Sequence, residues 1–418
     1  MLINRLRAHA YMRRYELDVL IATSPVNVTY CSDYYCWIDR LVTKYMTTPG
    51  SSSHLDNRSF AVFPLEGDPA LVVTPIFAVN AGGLWVNDLQ IFGEPGLDGV
   101  FRTSSVPEEQ QPLLDLLLAR RKRPATAVEA LTTLLQARGL AGARIGLEME
   151  GMDPSAREAL SQALPQAAIR NCSNLIRLIR MVKSAEEIEC LTRAAEINEV
   201  TAVESLSLAR PGRSMSELIH HFRVRVAEMD ADFDHFAFGI RGLGIATEPH
   251  YVLKDDDILY VDFGCVFRHY FSDGGTTLAL REPPIELLKR HAALRSCIDA
   301  GVEVLRPGVR SSVVRDEMWS VLNEHGITAS FPHGHGLGLE VRDYPILVAN
   351  NGLRILDDCV DEPSDLPLEP NMVINLESAI FMPGVGSLHI EKSFVVTPGG
   401  NRPLIPQDRT TPFEVQLT

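Results

Sequence analysis

The chain has 418 residues, 45% hydrophobic and 22% charged, which is enough apolar material for two sizeable cores. A net charge of −15 without a long basic cluster excludes a nucleic-acid surface, and no apolar run approaches the roughly eighteen residues that cross a bilayer. The seven cysteines, odd in number and scattered, include no C-x-x-C, so neither a disulfide framework nor a thiolate zinc site is indicated.

In chain order, RLRAHAYMRRYEL reads as a helix without the apolar core of a signal peptide, which points to the cytoplasm. DVLIAT follows as a short buried strand, and CSDYYCWIDRLVTKYMTTPGSSSH as a loop rich in aromatic and polar residues. RSFAVFPLEG and PALVVTP read as strands, RRKR at 120–123 as a solvated helix end, residues 126–138 as a helix and ARIGLEME as a strand. This alternation predicts an α/β N-terminal domain over residues 1–170.

From residue 171 to 418 the pattern changes. NLIRLIR reads as a strand that leads into a long helix, whose start is marked by the capping box Ser184 to Glu187 and whose end is marked by Pro211-Gly212. A second box, Ser214 to Glu217, opens another helix, and a third helix covers 284–304. Strands at 258–264, 269–280, 373–381 and 388–396 complete an α+β domain with antiparallel hairpins.

Four segments of this second domain carry chemistry. In ILYVDFGCVFRHYFSDGG, a turn centred between Phe267 and Arg268 would set Asp262 directly opposite Asp273, with backbones about 5 Å apart. Like charges so close call for a cation or a proton between them; the alternative is one turn aspartate and one facing solvent. Glu377 and Glu391 each interrupt a strongly apolar strand pattern, and glutamate is rarely buried alone. FPHGHGLGLEVRDYP supplies His333 and His335 among glycines; no Gly-Lys-Ser/Thr follows, which excludes a phosphate loop. Four carboxylates and one imidazole would balance two divalent cations, with manganese, iron, cobalt or zinc suited to the donor set.

These motifs resemble the creatinase, prolidase, aminopeptidase P and methionine aminopeptidase superfamily, whose catalytic domain has the pita-bread fold. The resemblance spans nearly the whole chain, from RLRAHAYMRRYELDVLIATSPVNVTYCS through IRMVKSAEEIECLTRAAEI to VDFG, SDGG, GHGLGLEVRDYP, EPNMVINLES and HIEKSFVVT. It implies a creatinase-like N-terminal domain and a dinuclear metallohydrolase that cleaves a C–N bond. It also implies that Asp262 binds one cation, His335 and Glu377 the other, and that Asp273 and Glu391 bridge both. Glu377 would also carry a proton, with His333 beside the ligands.

The sequence departs from the family's peptidases around that set. Histidines usual four positions before and seven after the metal histidine are Phe331 and Arg342 here. A third, about seventeen positions before the first aspartate, falls at Gly244–Ile245, with His250 and His235 as substitutes. Gly275 stands where the family has threonine, and His389 where it has arginine. Arg342 would grip a substrate carboxylate, or else pair with Asp343 or Glu340. His389 and His250 are further substrate-binding candidates, as are Tyr34, Tyr35, Trp37 and Asp39, which in a creatinase-type homodimer would reach the partner's site. The resemblance implies an Xaa-Pro dipeptidase or aminopeptidase as the default. The alternatives are an ectoine- or creatine-type hydrolase, a dimethylsulfoniopropionate lyase, or a silent binding protein. The lyase branch has an aspartate two positions after the first metal aspartate, where this chain has Gly264.

Overall fold

The computed structural model describes residues 1–40, 58–93, 106–118, 123–247, 250–328, 330 and 333–405. Phe331, residues 41–54 of the aromatic loop and 120–122 of the basic run lie outside them. By its internal contacts the chain forms two units, Met1–Arg180 with Ile355–Asp361, and Met181–Arg354 with Glu362–Thr418.

The first unit runs α1 (Arg5–Arg14), β1 (Val19–Ala22), α2 (Pro25–Ser32), β2 (Phe60–Pro64), β3 (Ala70–Val73) and β4 (Asp88–Ile91), then α3 (Gln111–Leu118), α4 (Ala127–Ala137), β5 (Arg144–Leu147), α5 (Pro154–Ala163), β6 (Ala168–Asn171) and α6 (Ser173–Arg180). Its strands make one mixed sheet in the order β4-β3-β2-β1-β5-β6. The unbroken apolar run of β1 suits a central strand covered on both faces, and all four of its residues are buried. Leu131, Leu134 and Leu135 of α4 share a core with Val19, Ile21, Phe60 and Ile145. NLIRLIR is not a strand but helix α6: Leu175, Ile176, Leu178 and Ile179 recur at helical spacing and are all buried. The strand lies just before it, as β6. Because α6 is counted with the first unit, the division falls after Arg180 rather than after residue 170.

In the second unit, α7 (Ala185–Leu206) opens on the reciprocal cap of Ser184 and Glu187, with Ser184 N–H donating to the Glu187 carboxylate at 2.7 Å. It stops at Leu206, short of Pro211-Gly212. α8 (Met215–Glu228), β7 (Asp232–Gly239), β8 (Ile245–Ala246), β9 (Ile258–Phe267), β10 (Tyr270–Ala279), α9 (Ile285–Val304), α10 (Ser311–Glu324), β11 (His333–Gly336) and β12 (Asp343–Ile346) follow. After the short β13 (Arg354–Leu356) and β14 (Asp361–Pro363) come β15 (Val373–Met382), β16 (Gly386–Thr397) and β17 (Gly400–Pro403). The large sheet has the order β12-β11-β15-β16-β10-β9-β7-β8, with β17 also on β16.

The β9–β10 hairpin corrects the expected register. Its turn is the pair Arg268-His269, both at positive φ, so Asp262 faces Gly275 and Asp273 faces Gly264. Such a tight turn normally favours glycine or asparagine, and neither is present to signal it. The two aspartates therefore stand diagonally on one face rather than opposite each other. β9–β10 and β15–β16 each pair along ten residues, whereas β10 and β16 share one register pair, Gly275 with Glu391.

Candidate metal centre

Neighbouring strands set six ionisable side chains in two adjacent rows across the sheet: Glu377 on β15, Glu391 on β16 and Asp262 on β9 in one, His335 on β11, Asp273 on β10 and His235 on β7 in the other. Pairing fixes these rows. Glu377 stands opposite Glu391, Glu391 opposite Gly275, Gly275 opposite Asp262, and Gly264 opposite both Asp273 and His235. Strand alternation puts all six on one face. The intervening Ser272, Gly274, Ile390 and Lys392 line a cavity of about 380 Å³ shared with residues of α7 and α9.

Two overlapping groups bring ligand atoms within 4.8 Å of one another: His235 with Asp262 and Asp273, and Asp273 with His335 and Glu391. The His335 Nδ1–H lies 3.1 Å from the Gly336 carbonyl, which leaves Nε2 as a lone-pair donor; that atom is buried without a hydrogen-bond partner, 3.6 Å from Asp273 Oδ2. Glu391 accepts from Asn375 Nδ2 at 2.7 Å on one oxygen, while the other is buried without a hydrogen bond, 3.7 Å from His389 Nε2. An imidazole lone pair and a carboxylate oxygen, both desolvated and converging, fit a divalent cation.

Charge within the cluster is unevenly held by the protein groups alone. Burial and the neighbouring Asp262 push Asp273 up to about 7, and burial with Asp273 pushes Glu391 well above the carboxylate range. Burial also works against Asp262 and Glu377, but hydrogen bonds outweigh it and hold both low: His235 on Asp262, His333 and His389 on Glu377. Burial lowers His335 to about 4, so its imidazole is neutral at pH 7, as a ligand must be. His235 goes the other way, to about 10, because Asp234 and Asp262 overcome its burial.

Four of the five expected ligands fall in these two groups; Glu377 falls in neither, and its oxygens are occupied by side chains. Its Oε2 lies 2.7 Å from His333 Nε2 and its Oε1 3.3 Å from His389 Nε2. The His333 side chain is 24% exposed, and Arg342 Nη2 lies 3.3 Å from its Nε2. Arg342 is exposed, and of the two partners considered for it, Asp343 is bound by the buried Lys183 at 3.0 Å.

Several expectations need correction. His389 is wholly buried, so it offers no surface to a substrate. Its ring stacks on Tyr260 at 4.0 Å, and its Nδ1–H donates to the Val261 carbonyl at 3.0 Å. The Tyr260 hydroxyl in turn donates to Asp262 Oδ2 at 2.8 Å. The ring fills the space above Gly275, where a Cβ would come within 1.9 Å of it. The two departures from the family, Gly275 and His389, therefore meet in space: the ring of one occupies the room that the other leaves. His250 is exposed, and the histidine that does enter the cluster is His235. Tyr34 is buried in the first unit and cannot reach toward another chain, whereas Trp37 is exposed.

Sequence comparison supplies the family. Residues 189–398 match the model of metallopeptidase family M24, and residues 99–182 match the creatinase/prolidase N-terminal domain. An uncharacterized peptidase of Bacillus subtilis, YqhT, is 27% identical over 62% of this chain and 72% of its own length. An Xaa-Pro dipeptidase of Pyrococcus horikoshii is 24% identical over 63% of this chain and 75% of its own. Among solved structures, the X-Pro aminopeptidase of Thermotoga maritima superposes with a TM-score of 0.72 at 18% identity, covering 98% of this chain and 100% of that one. That likeness shows the fold: a creatinase-like domain followed by a pita-bread domain. No helix among the described residues is long and apolar enough to cross a membrane.

Proposed function

The chain belongs to metallopeptidase family M24, and on that footing we propose that it is a peptidase of the Xaa-Pro dipeptidase and aminopeptidase kind, working with two divalent cations on an Xaa-Pro dipeptide or short peptide. The observation that carries this reading is the convergence of Asp262, Asp273, His335, Glu377 and Glu391 from five adjacent strands. When bound, the cations would polarise the scissile carbonyl and acidify a water. Manganese is the first choice, with iron, cobalt or zinc compatible with the same donors.

The chain's own residues would do the rest. Asp273 and Glu391 would help to hold both cations, and His335 with Glu377 would help to hold one of them. Glu377 takes the proton of the attacking water, and His333, 2.7 Å away and partly open to solvent, holds that carboxylate in place and relays the proton toward the leaving amine. Arg342, exposed beside His333, grips the substrate's carboxylate. We place the protein in the cytoplasm as a homodimer, with Trp37 facing the partner's site. The peptidase names of the relatives favour a peptide over ectoine, creatine or dimethylsulfoniopropionate, and four clustered carboxylates argue against a silent scaffold.

The test is a panel of Xaa-Pro dipeptides and short peptides, with those three small zwitterions as controls, assayed with added Mn²⁺, Co²⁺, Zn²⁺ or Fe²⁺. Turnover of Xaa-Pro substrates that is lost on chelation supports the assignment. Turnover confined to a zwitterion, or metal-independent turnover, removes it.

A further inference from the structure

We propose that His235 is a sixth protein ligand of the metal centre, so that each of the two cations is held by one imidazole: His335 for one, His235 for the other. This assignment rests on the dinuclear reading above and extends it to a residue outside the five.

Four observations converge on it. First, His235 Nε2 points into the cluster, 2.9 Å from Asp262 Oδ1 and 3.5 Å from Asp273 Oδ1. A cation held by those two carboxylate oxygens would take the place of the Nε2 proton and have this nitrogen as its next neighbour. Second, Nδ1 lies 2.8 Å from Asp234 Oδ2. A carboxylate that accepts from one ring nitrogen fixes the tautomer and aims the other nitrogen outward, which is the usual support of a metal-bound histidine. Third, the backbone is shaped to aim the ring. The β7–β9 register shifts between Phe233 and His235, and such bulges redirect side chains beside active sites. Fourth, Gly264 leaves room for it. A Cβ at Gly264 would come within 2.4 Å of His235 Cε1 and 2.5 Å of Nδ1. The glycine that faces Asp273 on one side and His235 on the other is what lets the ring lie across the strand toward the carboxylates.

The alternative is that His235 only neutralises Asp262 and leaves when a cation arrives. Co²⁺ alone separates the two, because its visible absorption reports ligand type and number without turnover. Full-length wild type, titrated with Co²⁺ and followed by absorption and by bound-metal analysis, is compared with His235→Ala, Asp234→Asn and Gly264→Ala. The expected result is two Co²⁺ per chain for wild type. His235→Ala should keep one tight Co²⁺, lose the second, and change the spectrum, with added imidazole restoring both. Asp234→Asn, which leaves the ligand but loosens its support, should weaken the second site by roughly 10–100-fold. Gly264→Ala should resemble His235→Ala, because its methyl displaces the ring. Far-UV circular dichroism and the melting temperature exclude loss of fold as the cause. Two Co²⁺ bound by His235→Ala with unchanged affinity and spectrum would overturn the role of His235 and leave the dinuclear centre standing. Fewer than two Co²⁺ on wild type would overturn the dinuclear centre itself, and this ligand with it.

Discussion

Gly275→Ala adds one methyl to the sheet at the point where His389 crosses it. The new Cβ would meet His389 Cε1 at 1.9 Å, Nδ1 at 2.2 Å and Nε2 at 2.8 Å. To reach ordinary contact the ring must retreat by about 1.5 Å, and it is wholly buried against Tyr260 at 4.0 Å. Overpacking of this kind costs about 1–3 kcal/mol, and losing the buried bond to the Val261 carbonyl costs a further 1–3 kcal/mol or so. We expect a loss of about 4 kcal/mol, or a fall in melting temperature of roughly 8–16 °C for a domain of this size. The assay is denaturant unfolding of Gly275→Ala, His389→Ala and the double variant, with the metal removed from all three. Removing the ring removes the collision, so the double variant should be more stable than the sum of the single losses by about 2 kcal/mol or more. The family's pair, Gly275→Thr with His389→Arg, should likewise outlast Gly275→Thr alone. Losses that simply add would refute the view that the ring of one occupies the room that the other leaves.

Four further outcomes follow from the geometry. Arg342→Ala should raise KM for carboxylate-bearing substrates by about 30–100-fold with little change in kcat, and an unchanged KM in steady-state kinetics removes its role. Asp273→Ala should abolish activity and bound metal together, checked by elemental analysis beside the activity assay. Lys183→Met should cost about 3–5 kcal/mol in urea unfolding by stranding the buried Asp343, and Asp343→Asn in the same chain should recover most of it. Glu187, raised to about 7 chiefly by burial, holds its proton more tightly folded than unfolded. Its contribution is therefore full below about pH 4.5 and is lost as pH rises through 7, so Glu187→Gln should flatten the decline in stability over that window, read by unfolding at pH 5 and pH 8.

The four carboxylates were legible because each lies in a strand pattern where an ionisable residue needs a reason, and His335 because its glycine-rich motif resembles the family's metal-histidine loop. Their exact partners were less so. The hairpin turn carries no glycine or asparagine, which hid its centre and shifted the expected facing of Asp262 and Asp273. NLIRLIR reads ambiguously because a seven-residue segment with four apolar residues suits either period, although its spacing is helical. His235 could not be placed, since its position depends on a bulge and on a glycine 29 residues away. His389 and Gly275 were each visible as oddities; only three dimensions show that one occupies the room the other vacates.

The single register pair between β10 and β16 divides the large sheet into two well-laddered halves, joined at Gly275 and Glu391. Asp262, Asp273 and His235 belong to one half, and His335, Glu377 and Glu391 to the other. Cations seated among them would act as stitches across a seam that the backbone barely closes. Chelated protein should then open along that line first, with β10 and β16 exchanging amide hydrogens well before either hairpin comes apart.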